Sequence, residues 1–147
     1  MKVTNTDNQQ VIVKKKVEIF FKRAIENKKD RGFCITKDVM AMLMDKWSLF
    51  VLYNLGYFEK MRFTELRKKV KGISARMLSV TLKKLENNHI IERKVFAEVP
   101  PKVEYSLTDF GLELVEKTVD MNDWFLQKYL DGKGQKKTPT SGGKAKT

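Results

Sequence analysis

Between Ser74 and Asn88 the residues Arg76, Ser79, Lys83 and Asn87 recur at steps of three or four. At about 100° per residue they fall on one side of a helix, offering guanidinium, hydroxyl, ammonium and amide donors together. Such a face suits recognition by hydrogen bonding and charge, with base edges and phosphates as the natural acceptors, rather than the making of bonds. The remaining chemistry-bearing residues point the same way. The chain has one His, His89, and one Cys, Cys34. Structural zinc needs about four Cys or His ligands, and an intrachain disulfide needs a second thiol. No paired carboxylates, nucleophile–base pair or phosphate-cradling glycine loop is legible, so neither a catalytic residue nor a metal or cofactor is expected.

The donors need a scaffold, and the pattern around them supplies one. Leu78, Leu82 and Leu85 form a narrow apolar stripe on the opposite side of the same helix, with Thr81 beside it and Val80 among the donors. Upstream, Phe63, Leu66 and Val70 stand at i, i+3 and i+7, which predicts a helix over 63–70. Lys71 and Gly72 end it, the glycine being free to adopt positive φ, and Ser74 is placed to cap the second helix from Ala75 to about Asn88. Two helices joined by a short glycine-containing turn make a helix-turn-helix. After Asn88-His89, Ile91–Val99 alternates, with Ile91, Val95, Ala97 and Val99 on one face and Glu92, Lys94 and Glu98 on the other. Arg93 breaks the apolar face. Pro100-Pro101 blocks the strand, and Val103–Leu107 alternates again, predicting a β-hairpin with a proline turn. The fold class is therefore mainly α, in the α+β sense: a winged helix-turn-helix with flanking helices that serve dimerisation.

One flanking segment, 35–55, is strongly apolar at helical spacing, with a polar break at Asp45-Lys46 that divides it. The other starts at Thr108, a cap, and runs to about Leu130, with Leu112, Val115, Val119 and Trp124 or Phe125 apolar and Asp109, Glu113, Glu116, Asp120 and Asp123 exposed. Residues 1–33 read as an N-terminal extension whose stretch 11–27 is a basic amphipathic helix with Val13, Val17, Phe20, Phe21 and Ala24 on one side. Residues 34–130 are expected to form the winged helix-turn-helix DNA-binding domain, and 131–147 a disordered basic tail without large apolar side chains. No stretch reaches the ~18 apolar residues of a membrane span. Residues 1–10 are polar and lack the core of a signal peptide, so a cytoplasmic location is expected.

The formal charge of +12 is unevenly spread. Residues 60–102 hold 12 basic and 4 acidic side chains, net +8, whereas 103–130 hold 2 and 6, net −4. Residues 1–33 add +5 and 131–147 add +4, with −1 over 34–59. The polarity assigns the helix-turn-helix and wing to a polyanion and turns the acidic last helix away from it.

The succession Asp45-Lys-Trp47, Arg62-Phe63-Thr-Glu-Leu66, Gly72-Ile73-Ser74-Ala-Arg76-Met-Leu78, Leu82-Lys-Lys-Leu85, Ile91-Glu-Arg93, Val99-Pro-Pro-Lys-Val-Glu-Tyr105-Ser-Leu107-Thr108 and Gly111 closely resembles the HxlR-type regulators, relatives of the MarR group. The match covers roughly residues 34–124. The resemblance implies a homodimeric winged-helix transcriptional regulator, a repressor in the first reading, binding double-stranded DNA at a roughly two-fold symmetric operator. Its recognition helix maps onto Ala75–Asn88 and its wing onto Lys94–Lys102. Two departures stand out: Asp45 and His89 occupy places where the family usually has Gly. A helix terminator often needs the left-handed region, which His enters more readily than most residues.

On this reading Ser74, Arg76, Ser79 and Lys83 contact DNA from the recognition helix. Arg62, Lys68, Lys69, Lys94 and Lys102 grip the backbone and wing, setting register without reading sequence. Some family members sense electrophiles or oxidants through an early Cys, and Cys34 occupies that position. Its neighbours leave two readings open: Lys29, Arg31 and Lys37 favour a thiolate, while Phe33 and Ile35 favour a buried small hydrophobe. An alternative for the whole chain is an RNA-binding or ribosome-associated winged-helix module, against which stands the lack of exposed aromatics interleaved with the basic residues.

Overall fold

The computed structural model describes residues 5–31, 41 and 45–134. Contacts divide the chain into two units, 1–49 and 50–147. In the first, α1 spans Asn5–Arg31, longer at both ends than the 11–27 pattern predicts. Val13, Val17, Phe20 and Phe21 are exposed, and Lys22 pairs with Glu18 one turn away at 3.3 Å. A second helix, α2, spans Lys46–Phe58 and runs from the first unit into the second. Asp45 starts it: one carboxylate oxygen accepts the Trp47 N–H at 3.2 Å and the other the Ser48 hydroxyl at 2.8 Å. This accounts for an acid at the family's glycine position, since an N-cap carboxylate satisfies orphan donors and favours the positive end of the helix.

The second unit is built around the leucine spine. The short helix α3, Phe63–Lys69, follows a two-residue strand β1, Lys60–Met61, and leads through Gly72, at φ 86°, into α4, Ala75–Asn87. Ser74 caps α4, its hydroxyl accepting the Met77 N–H at 3.0 Å. Leu78, Thr81, Leu82 and Leu85 are all buried, as the stripe predicts. They meet Val51, Leu52 and Leu55 of α2, Met61, Leu66, Val70 and Ile73 in one core. Each fully buried leucine or isoleucine contributes about 1.5–3 kcal/mol relative to exposure.

β2, Ile91–Phe96, pairs antiparallel with β3, Lys102–Leu107, in the register Ile91↔Leu107, Arg93↔Tyr105 and Val95↔Val103. β1 pairs with the other edge of β3, giving the order β1-β3-β2. Sequence reasoning misses β1 because two residues carry no period. It also overextends the first wing strand to Val99: the Glu98 N–H bonds back to the Phe96 carbonyl at 2.9 Å, which removes Ala97–Val99 from the ladder. Nor is the predicted apolar face buried along its length. Ile91 is 2% exposed, but Val95 is 53% exposed, because the hairpin beyond Arg93 has no core to face. The arrangement of helix-turn-helix and three-stranded sheet is a winged helix.

The last helix, α5, spans Asp109–Gly134, four residues beyond the expected end at Leu130 and into the segment expected to be a tail. Its start is welded to the end of α4. His89 adopts φ 56°, the left-handed conformation expected of it. Its N–H bonds to the Glu86 carbonyl at 2.9 Å, and the Ile90 N–H to the Leu85 carbonyl at 3.0 Å, a Schellman closure with Leu85 and Ile90 both fully buried. The Ile90 carbonyl then accepts the Thr108 N–H at 3.1 Å and lies 3.0 Å from the Thr108 hydroxyl, which itself caps α5 by accepting the Gly111 N–H at 3.0 Å. Gly111 must be glycine here: a Cβ would sit 2.1 Å from the Ile90 oxygen.

Gly111→Ala is expected to destabilise the protein by about 1–3 kcal/mol despite alanine's better helix propensity, because the added methyl overpacks the junction. Chemical denaturation checks this; a variant as stable as the parent would mean that α5 shifts at no cost.

Candidate nucleic-acid interface

The cap at Ser74 and the Schellman closure at His89 hold α4 at both ends, and its buried leucines fix its rotation. The opposite side is then determined: Arg76, Ser79, Val80, Lys83 and Asn87 are all exposed. Met77, at 42% exposure, joins them at the leading turn. Ser74 also lies at this end, but its oxygen is engaged by the cap, leaving the hydroxyl proton free to donate. The helix thus presents charged and neutral donors with two apolar side chains between them, a set able to address phosphates, base edges and a thymine methyl.

The predicted backbone contacts are less uniform. Arg62 and Lys68 are exposed, and the Arg62 backbone N–H bonds to the Glu65 carboxylate at 2.7 Å as the entry to α3. Lys69 holds its ammonium 4.8 Å over the Phe58 ring. On the wing, Lys94 and Phe96 point to the same side as Lys102 and Glu104, and both ammonium groups lie over the Phe96 ring, at 5.1 and 4.9 Å. Lys102 is moreover bound to Glu104 at 2.8 Å and is half-buried. That hydrogen bond holds the Glu104 carboxyl below the usual glutamate value, helped by the charges of Lys102, Lys60 and Arg62 and opposed by desolvation. Lys102 is consequently the least available of the five predicted backbone residues. Lys60, on β1, joins this positive field, and the two-residue strand that positions it is not legible in the sequence.

A cleft of about 400 Å³ opens between α4 and the sheet, with Phe63, Leu82 and Tyr105 beneath it and Ser79, Lys83, Glu86 and Arg93 along its rim. Among the described residues no group of three or more His, Cys, Asp or Glu side chains is arranged to hold a metal ion. No described helix is long and apolar enough to cross a membrane. Cys34 and residues 135–147 lie outside the described residues.

Residues 42–133 match the family described as HxlR-like helix-turn-helix. The HTH-type transcriptional regulator YdeP of Bacillus subtilis is 42% identical over 98 residues, 67% of this chain and 75% of YdeP. Among solved structures, the transcriptional regulator ytfH from Salmonella typhimurium superposes with a TM-score of 0.59 at 31% identity, over 69% of this chain and 93% of that one. The regulator YodB from B. subtilis in its reduced form gives a TM-score of 0.55 at 33% identity, over 63% and 90% of the two chains. YodB has also been solved after diamide treatment, with the same score and identity, over 65% and 94%.

Lys102→Met is expected to move the Glu104 titration midpoint up toward the ordinary glutamate value in carboxyl-detected NMR, because the Lys102 hydrogen bond is the main cause of its lowering. An unchanged midpoint would assign the shift to Lys60 and Arg62 instead.

Proposed function

The chain belongs to the HxlR-like helix-turn-helix family of transcriptional regulators, and from that premise we propose that it is a sequence-specific double-stranded DNA-binding repressor, acting in the cytoplasm as a homodimer on a pseudo-palindromic operator. The observation that carries the reading is the exposed donor face of α4, held at both ends and flanked by a wing, inside the segment of net charge +8. Arg76 and Lys83 make groove or phosphate contacts, and Ser74 and Ser79 add hydrogen bonds. Arg62, Lys68, Lys69, Lys94 and, less freely, Lys102 hold the backbone. Repression follows from occupancy, because a dimer spanning two half-sites excludes other proteins from that stretch of promoter. Nothing in this reading calls for catalysis.

Dimerisation is supported by apolar side chains that a lone chain leaves in water. On α5, Leu112, Met121, Trp124, Phe125, Leu126 and Leu130 are each more than half exposed. Exposed apolar area on this scale is normally covered by protein. A two-fold pair would put the two α4 helices about one DNA turn apart, ~34–36 Å, with the acidic side of α5 directed away from the phosphates.

A regulatory addition concerns Cys34, the single thiol, which is proposed to release DNA when modified by an oxidant or small electrophile. The likeness to YodB, solved both reduced and diamide-treated, favours it. Any disulfide in the native assembly must then join two chains or a small thiol.

Selection of DNA fragments from a random pool by the full chain should yield an inverted repeat, and Arg76→Ala should weaken binding to it by about 1–3 kcal/mol without altering the dimer in sedimentation. Unchanged affinity would place the contact face elsewhere. For the thiol, diamide should release the selected DNA from the parent protein but not from Cys34→Ser; equal release from both would eliminate the sensor.

A further inference from the structure

β2 alternates, and one residue breaks its pattern. Ile91, Arg93 and Val95 share a face of the sheet with Tyr105 and Leu107, yet Arg93 puts a guanidinium where the alternation asks for an apolar side chain. It remains exposed because the hairpin leaves the core one pair beyond Ile91. This face is the one turned to α4: Arg93 stands on the rim of the same cleft as Ser79 and Lys83. Lys94 and Lys102 extend from the opposite face, where Phe96 and Glu104 engage them. Among the described residues the Arg93 guanidinium has no hydrogen-bond or ion-pair partner. Glu86 lines the cleft as well, so Lys83 and Arg93 leave its rim with a single net positive charge, which favours an anion.

We propose that Arg93 is a DNA-backbone contact that grips a phosphate beside the groove α4 enters, sharing it with Lys83 and the Ser79 hydroxyl. This rests on the DNA-binding reading of α4. The residue lies on a strand flanking the helix rather than on its outermost line, so it meets the sugar-phosphate edge before any base. A phosphate accepts two parallel bonds from a guanidinium, which an ammonium cannot supply. Bridging helix and wing through one phosphate also fixes their common register on the duplex.

The test uses the full chain and a duplex that the parent protein has selected from a random pool, beside a scrambled duplex of the same length, each titrated over a range of salt. Arg93→Gln should weaken binding about tenfold on both duplexes and make the log–log salt dependence shallower by about one. Arg93→Lys should recover the salt slope but only part of the affinity. The proposal is overturned if Arg93→Gln binds both duplexes as the parent does while Arg76→Ala loses the selected one. A loss confined to the selected duplex would make Arg93 a base reader and overturn the phosphate assignment. If the parent protein retains no duplex at all, the DNA-binding reading itself fails, and Arg93 with it.

Discussion

The carbonyl oxygen of Ile90 organises the winged-helix part of the molecule. It closes the end of the helix-turn-helix onto the start of the last helix by accepting the N–H of Thr108, whose hydroxyl proton is shared between the His89 carbonyl at 2.8 Å and the Ile90 carbonyl at 3.0 Å, with Gly111 pressed against the Ile90 oxygen. Because His89 turns left-handed just before it, α4 stops there, β2 begins one residue later, and neither can slide without breaking the Schellman bonds. A recognition surface needs its donors fixed relative to the strands beside it, and this junction does that with backbone groups, one hydroxyl and a glycine. Ser74 does the same at the other end of α4.

Once α4 cannot rotate or slide, charge decides what the surface meets. The segment of net +8 supplies exposed cations on the outer side of α4, on α3 and on both faces of the wing. Within it the cations are unequal. Lys69, Lys94 and Lys102 rest over aromatic rings, and Lys102 is also paired with Glu104, so these three ammonium groups already have partners inside the protein. Lys83 and Arg93 are exposed cations on the rim of the cleft beside α4, and Arg76 is exposed near the start of that helix. Affinity for a phosphate backbone scales with the counterions released, so uncompensated cations contribute more than the total of +12 suggests.

Much of this was legible in residue types. The leucine spine, the caps at Ser74 and Thr108, the positive φ at Gly72 and the left-handed His89 all follow from local rules, because helix termini are determined by a few adjacent residues. Three things were not. β1 is too short to carry a period and exists only because β3 offers it an edge. The wing's alternation continues in sequence past the point where a core exists to bury it, so Val95 and Val99 looked internal and are exposed. The engagement of Lys102 depends on Glu104 and Phe96 being cross-strand or same-face neighbours, which only the register reveals. Arg93 stands out in the sequence as a charge where an apolar residue belonged, and the structure sets that face against α4. Asp45 likewise departed from the family's glycine, and proves to be the cap of α2.

Hydrogen exchange of the full chain with and without a mixed-sequence duplex at low salt tests the central claim most directly, because sequence-independent binding uses the same charged face as specific binding. The account predicts added protection from Phe63 through Leu107, concentrated in the first turns of α4 and in the wing strands, with the acidic middle of α5 unchanged. Protection centred on α1 or α5 with none at α4 would contradict it.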